Sequence, residues 1–87
     1  QNYPNPFNPS TTISFDLRTN ANVTLKIYSV LGEEVLTLMN GSLMPAGHKI
    51  LSFNASNLPS GMYIYRLEAK GIDGSNFTGI KKMMLLK

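Results

Sequence analysis

The side chains that could do chemistry are few and scattered. His48 is the one histidine in the 87 residues, and cysteine is absent. A lone imidazole cannot build a His-based metal cluster, and without thiols there is no thiolate nucleophile, Cys-ligated zinc or disulfide. A His-centred triad needs a group that orients the ring, and none stands beside His48 in sequence. The carboxylates are Asp16, Glu33, Glu34, Glu68 and Asp73. Glu33 and Glu34 are neighbours at a turn, while Asp16 and Glu68 fall on the outward phase of alternating stretches. No pair is set to face another across a cleft, as glycoside hydrolysis requires. Asp73-Gly74-Ser75-Asn76 is rich in oxygen but lacks the spaced acidic ligands of a calcium loop, and it reads as a turn. The glycines are dispersed, so no phosphate-binding loop is present. The expectation is a chain with no catalytic centre, no cofactor and no metal.

Charge points the same way. Eight Lys/Arg against five Asp/Glu leave a net charge of +3. Only Lys81-Lys82 adjoin, which fits a solvated surface rather than a nucleic-acid face. No apolar run approaches the ~18–20 residues of a membrane span. There is no charged-then-apolar leader and no initiator Met, so the chain is expected to be a piece of something longer.

The elements that would carry these residues alternate with period two, the mark of half-buried strands. In Thr12–Leu17, Ile13, Phe15 and Leu17 face inward. Arg18–Asn22 is a turn. Val23, Leu25 and Ile27 face inward from the next strand, with Thr24, Lys26 and Tyr28 outside. Ser29–Glu34, with Gly32, is a turn, and Val35 opens a third strand. Asn40-Gly41 and Pro45-Ala46-Gly47 are turn signals, so residues 40–47 read as a loop with room for a short strand at Leu43. His48–Asn54 alternates with Leu51 and Phe53 inward.

Leu58-Pro59-Ser60-Gly61-Met62-Tyr63 has the spacing of a tyrosine corner. Leu58 plugs the core, Gly61 takes a positive φ, and the Tyr63 hydroxyl returns to backbone a few residues upstream. Tyr63, Tyr65, Leu67 and Ala69 then share the inner face. Asp73-Gly74 reads as a type I′ hairpin turn, and Phe77–Leu86 is the last strand. Phe15, Phe53, Tyr63, Tyr65 and Phe77 are all placed in the core. The fold expected is all-β, an antiparallel immunoglobulin- or fibronectin-like sandwich of about seven strands, in one domain spanning residues 1–87.

Two stretches do not fit a plain sandwich. Residues 1–11 hold Pro4, Pro6 and Pro9, which forbid a helix and a central strand. They should run extended along an edge, with Tyr3 and Phe7 as anchors. At the other end, Ile80-Lys81-Lys82-Met83-Met84-Leu85-Leu86-Lys87 is apolar on both phases. With Met83 and Leu85 inward, Met84 and Leu86 face out, and Lys81, Lys82 and Lys87 surround them. A terminal strand of that composition invites a partner.

These residues resemble a known family. Asn2-Tyr3-Pro4-Asn5-Pro6-Phe7-Asn8-Pro9 followed by Thr12-Ile13-x-Phe15-x-Leu17 is similar to the opening of the type IX secretion system (Por secretion system) type A C-terminal sorting domain. The likeness continues through Val23-x-Leu25-x-Ile27-Tyr28, Gly32-Glu33-x-Val35, Ala46-Gly47-His48, Leu58-Pro59-Ser60-Gly61-Met62-Tyr63-x-Tyr65 and Lys81-Lys82-Met83. It covers essentially the whole chain. Members usually carry Trp-Asp where this chain has Phe53-Asn54. The resemblance implies a sorting tail of a larger secreted protein of Bacteroidetes and related phyla, with the cargo domain N-terminal in the same chain. The tail would be read by the type IX translocon and in many members removed by a sortase-like peptidase. The cargo would pass through periplasm and outer membrane to become secreted or cell-surface. Lys81, Lys82, Met84, Leu86 and Lys87 are the residues expected to meet the translocon. The alternative is an Ig-like spacer or carbohydrate-binding module of an extracellular hydrolase.

Overall fold

The computed structural model describes residues 10–85. Six strands follow in chain order: β1 (Ser10–Leu17), β2 (Ala21–Ser29), β3 (Glu34–Met44), β4 (Gly47–Asn54), β5 (Gly61–Gly71) and β6 (Asn76–Leu85). They form two antiparallel sheets, β1-β4 and β3-β2-β5-β6, in a sandwich-like arrangement. The described residues thus hold six strands where the sequence suggested about seven. None of them is helical, and among them no helix is long and apolar enough to cross a membrane.

Strand β2 is the spine. It pairs with β3 on one side and β5 on the other, and Val23, Leu25 and Ile27 are 0% exposed. Each such side chain contributes about 1.5–3 kcal/mol of burial. Ile13, Leu17, Leu67 and Ala69 close the core toward one end, with Phe15, Leu51 and Phe53 packed against them. Ala55, Tyr63 and Leu85 close it toward the other around Ile27. Leu58 packs there too.

Three local expectations change. Residues 40–44 are not a loop: β3 runs on through Asn40-Gly41. Thr24 pairs with Asn40 while Val23 pairs with Ser42, so Gly41 is the extra residue of a bulge. Its φ is +69° and its N–H donates to Thr24 Oγ1 at 3.1 Å. The glycine does supply a positive φ, but it bends the strand instead of ending it. The loop shrinks to Pro45-Ala46.

The Asp73-Gly74 turn is not type I′, because only glycines have positive φ among the described residues. Gly74 N–H donates to the Gly71 carbonyl (3.1 Å) and Gly71 N–H to the Ser75 carbonyl (2.7 Å), with Gly74 at φ +90°. This is a three-residue loop closed by one left-handed glycine. The Ser29–Glu33 turn repeats it, with Gly32 N–H on the Ser29 carbonyl (3.0 Å), Ser29 N–H on the Glu33 carbonyl (2.8 Å) and Gly32 at φ +90°.

Phe77 is not a core residue: it is 56% exposed. It lies opposite Ala69 and hence on the inner face of the large sheet. Among the described residues the facing sheet has two strands, β1 and β4, and neither covers β6 there.

Asn20 ties three turns together at one end of the sandwich. Its carbonyl accepts from Ile72 N–H (2.9 Å) and its Oδ1 from Ala46 N–H (2.9 Å). The opposite end holds the Ser29–Glu33 hairpin, the β4–β5 corner, the start of β1 and the end of β6.

Candidate functional site

Cross-strand register brings one acid to the histidine. Asp16 lies opposite His48, with Oδ1 2.6 Å from Nδ1. The pair is on the solvent face of the small sheet, the His48 side chain 57% exposed and the Asp16 side chain 78%. Thus the imidazole has an orienting partner that lies 32 residues away in sequence and escaped a reading limited to neighbours. Thr12 and Ser52 share a 3.3 Å hydrogen bond between their hydroxyls further along the same two strands. Nothing at the pair excludes water, which an activated nucleophile would need.

The remaining charges are surface pairs. Lys26 reaches Glu34 at 3.3 Å and Arg66 reaches Glu68 at 2.8 Å. The Thr37 hydroxyl donates to Glu34, and this bond, with Lys26, holds the Glu34 carboxyl below its ordinary range. The Ser75 hydroxyl and backbone N–H do the same for Asp73, at 2.6 Å and 3.0 Å. Both effects serve turns and strand pairing, and among the described residues no three His, Cys, Asp or Glu side chains cluster.

The corner is present. Tyr63 is 7% exposed, its hydroxyl donates to the Pro59 carbonyl at 2.6 Å, and Gly61 takes φ +153°. Leu58 N–H bonds the Ala55 carbonyl at 3.0 Å, folding the chain back over Ala55. The corner anchors the start of β5, on which β6 is laid.

Among the described residues strand β6 is an edge strand, paired with β5 alone. Toward its C-terminal half Ile80, Lys82 and Met84 face outward, opposite Arg66, Ile64 and Met62 of β5. Ile80 is 63% exposed, Met84 56% and Met62 40%. Lys81 and Lys82 are both exposed, on opposite faces. Met83 packs against the core and Leu85 is buried in it. The structure therefore places Lys82 and Met84 on one surface, and Lys81 on the other side of the same edge. It adds Ile80 and Met62, which the sequence reading passed over because β6 and β5 had not been put in register. Leu86 and Lys87, and the Pro4-Asn5-Pro6-Phe7-Asn8-Pro9 motif with the rest of the Pro-rich segment before Ser10, lie outside the described residues.

Residues 1–83 match the family described as secretion system C-terminal sorting domain. No curated protein and no solved structure matches the chain.

Proposed function

This chain belongs to the secretion system C-terminal sorting domain family, and we propose that it acts as a non-catalytic export address whose legible part is strand β6. Membership implies a type IX secretion system, an N-terminal cargo part, and export of that cargo to the surface or beyond. The reading extends this to direct contact with the translocon after passage through the periplasm, and to removal of the tail by a sortase-like peptidase where the host has one. It also assigns Lys81, Lys82, Met84, Leu86 and Lys87 to the contact, and treats residues 1–87 as one sorting domain.

One observation carries it. A folded sandwich hides its central strands, so a partner has only edges, ends and loops to read. Strand β6 offers an edge that no described strand pairs, apolar Ile80 and Met84 beside Met62, and the cations Lys81 and Lys82. Backbone groups give such a surface affinity, alternate side chains give it specificity, and positive charge steers encounter with an acidic partner.

The test is a cargo fusion carrying Lys82→Glu, Met84→Thr and Leu86→Thr in a host with type IX secretion. Circular dichroism and melting first establish that the variant folds. The expected outcome is cargo retained inside the outer membrane. Export at the parental rate would remove β6 as the address and move recognition to the Pro4–Pro9 segment or leave the spacer reading.

A further inference from the structure

Two turn bonds fix which way each backbone group of β6 points. In an antiparallel pair, residues that exchange N–H···O bonds alternate with residues whose N–H and C=O point to the opposite edge. Ile72 N–H donates to the Asn20 carbonyl (2.9 Å) and Gly71 N–H to the Ser75 carbonyl (2.7 Å). Carried along the β2–β5 and β5–β6 registers, these bonds assign the even-numbered residues of β5 to β2 and the odd-numbered ones to β6. Within β6, Phe77, Gly79, Lys81 and Met83 are therefore the residues bonded to β5. Thr78, Ile80, Lys82 and Met84 turn their N–H and C=O groups the other way, toward an edge that no described strand pairs. Their side chains are exposed. Among the described strands β3 and β6 are the edges of the large sheet, and they are unlike. Strand β3 meets β2 with three register shifts, which break up the row of donors and acceptors it could present. Strand β6 meets β5 from Asn76 to Leu85 with the register unbroken.

We propose that β6 is read by strand addition: an extended, acidic segment of a partner protein pairs with the backbone groups of Thr78, Ile80, Lys82 and Met84. The inference rests on the reading of β6 as the export address and names how that address is read. Backbone pairing supplies affinity that no outward side chain has to provide. Lys81 and Lys82 decide the partner. Alternation puts them on opposite faces, so a segment with two adjacent carboxylates sets one acid against each lysine. The same lysines reject a second copy of this chain. Antiparallel pairing of β6 with another β6 at full overlap sets Lys81 opposite or diagonal to its own copy, and like charges so placed repel. Lysines on an edge strand guard it against indiscriminate pairing. Here they reserve a regular edge for a partner of opposite charge.

Amide exchange in the 87-residue chain tests the edge. Thr78, Ile80, Lys82 and Met84 should exchange about tenfold or more faster than Gly79, Lys81 and Met83. Equal protection along the strand overturns the proposal, because another segment then already holds that edge. Protection of the even-numbered amides that grows with protein concentration overturns it too, by assigning the edge to a second copy. A cargo fusion in a host with type IX secretion tests the partner. Thr78→Pro removes a donor from the outer edge and none from the β5 ladder, so its melting should stay near that of the parent. Gly79→Pro removes a bond to β5 and should melt far lower. If the two variants melt alike, the phase assignment is wrong and the proposal falls with it. Export should drop further with Thr78→Pro than with Thr78→Ala, which keeps the backbone donor. Equal export of the two overturns strand addition. If the Lys82→Glu, Met84→Thr and Leu86→Thr variant then still retains its cargo, β6 remains the address and is read by its side chains alone. If that variant is exported as well, the address itself is lost.

Discussion

A buried hydroxyl must keep a partner, and at Tyr63 that partner is the Pro59 carbonyl four residues upstream. Tyr63→Phe should cost about 1–2 kcal/mol through the orphaned carbonyl and lost bond, with the fold unchanged. Tyr28→Phe, on the outward phase of β2, should cost under ~0.5 kcal/mol. Equal shifts of the urea midpoint would show that the corner bond contributes nothing. This feature was legible in the sequence because all its parts lie between Leu58 and Tyr63. The acid behaviour of the turn is equally local. Asp73, held by Ser75, has a folded pKa below its unfolded one. It therefore binds fewer protons folded than unfolded. Its contribution is complete above the unfolded carboxyl value and disappears as pH falls through the depressed folded value. Asp73→Asn should accordingly flatten the acid limb of melting temperature against pH, and an unaltered limb would count against this linkage. The Asp16–His48 pair was not legible, since its members meet only through the β1–β4 register.

At the scale of the element, a residue type states a local need but not which structure meets it. Asn40-Gly41 announces a positive φ, which taken alone predicts a turn. Whether the chain turns or merely bulges depends on the partner strand, and β2 is long enough to keep β3 paired on both sides of Gly41. Gly41→Ala has free space for its methyl yet must hold φ +69°. It should lose about 1–2 kcal/mol from backbone strain alone. Asn40→Ala beside it should stay within about 0.5 kcal/mol. Denaturant melts of the pair decide between strain and simple loss of a polar surface. The same limit explains Phe77. Alternation put it on the inner face, where it is, but only the count of strands opposite determines whether that face is covered. In the described residues β1 and β4 leave it open.

At the scale of the molecule the sandwich has two unlike ends. One is latched by Asn20 across three turns, with Gly71 so tightly packed that an added Cβ would sit 2.7 Å from Thr19, Asp73 and Ser75 atoms. The other gathers the start of β1, the end of β6 and the Ser29–Glu33 hairpin, whose tip exposes Val30 (62%) and Leu31 (84%). The sorting-tail class and the all-β sandwich were legible from motifs and alternation, but this polarity was not, because it depends on which turns meet in space. If the translocon reads β6, its approach also brings it to the near end, where the exposed Leu31 becomes a contact. The far end has Ile72, an exposed apolar loop residue (68%), as its natural counterpart. Leu31→Asp and Ile72→Asp both alter exposed side chains, so each should change stability by less than about 0.5 kcal/mol. Their effects on export should nevertheless differ: Leu31→Asp should reduce the amount of a fused reporter at the cell surface, whereas Ile72→Asp should leave it at the parental level. Because both variants add the same charge to the same domain, a general effect of net charge would lower them equally. Loss confined to Ile72→Asp, or none in either, would separate the address from the end of the sandwich at which β6 terminates.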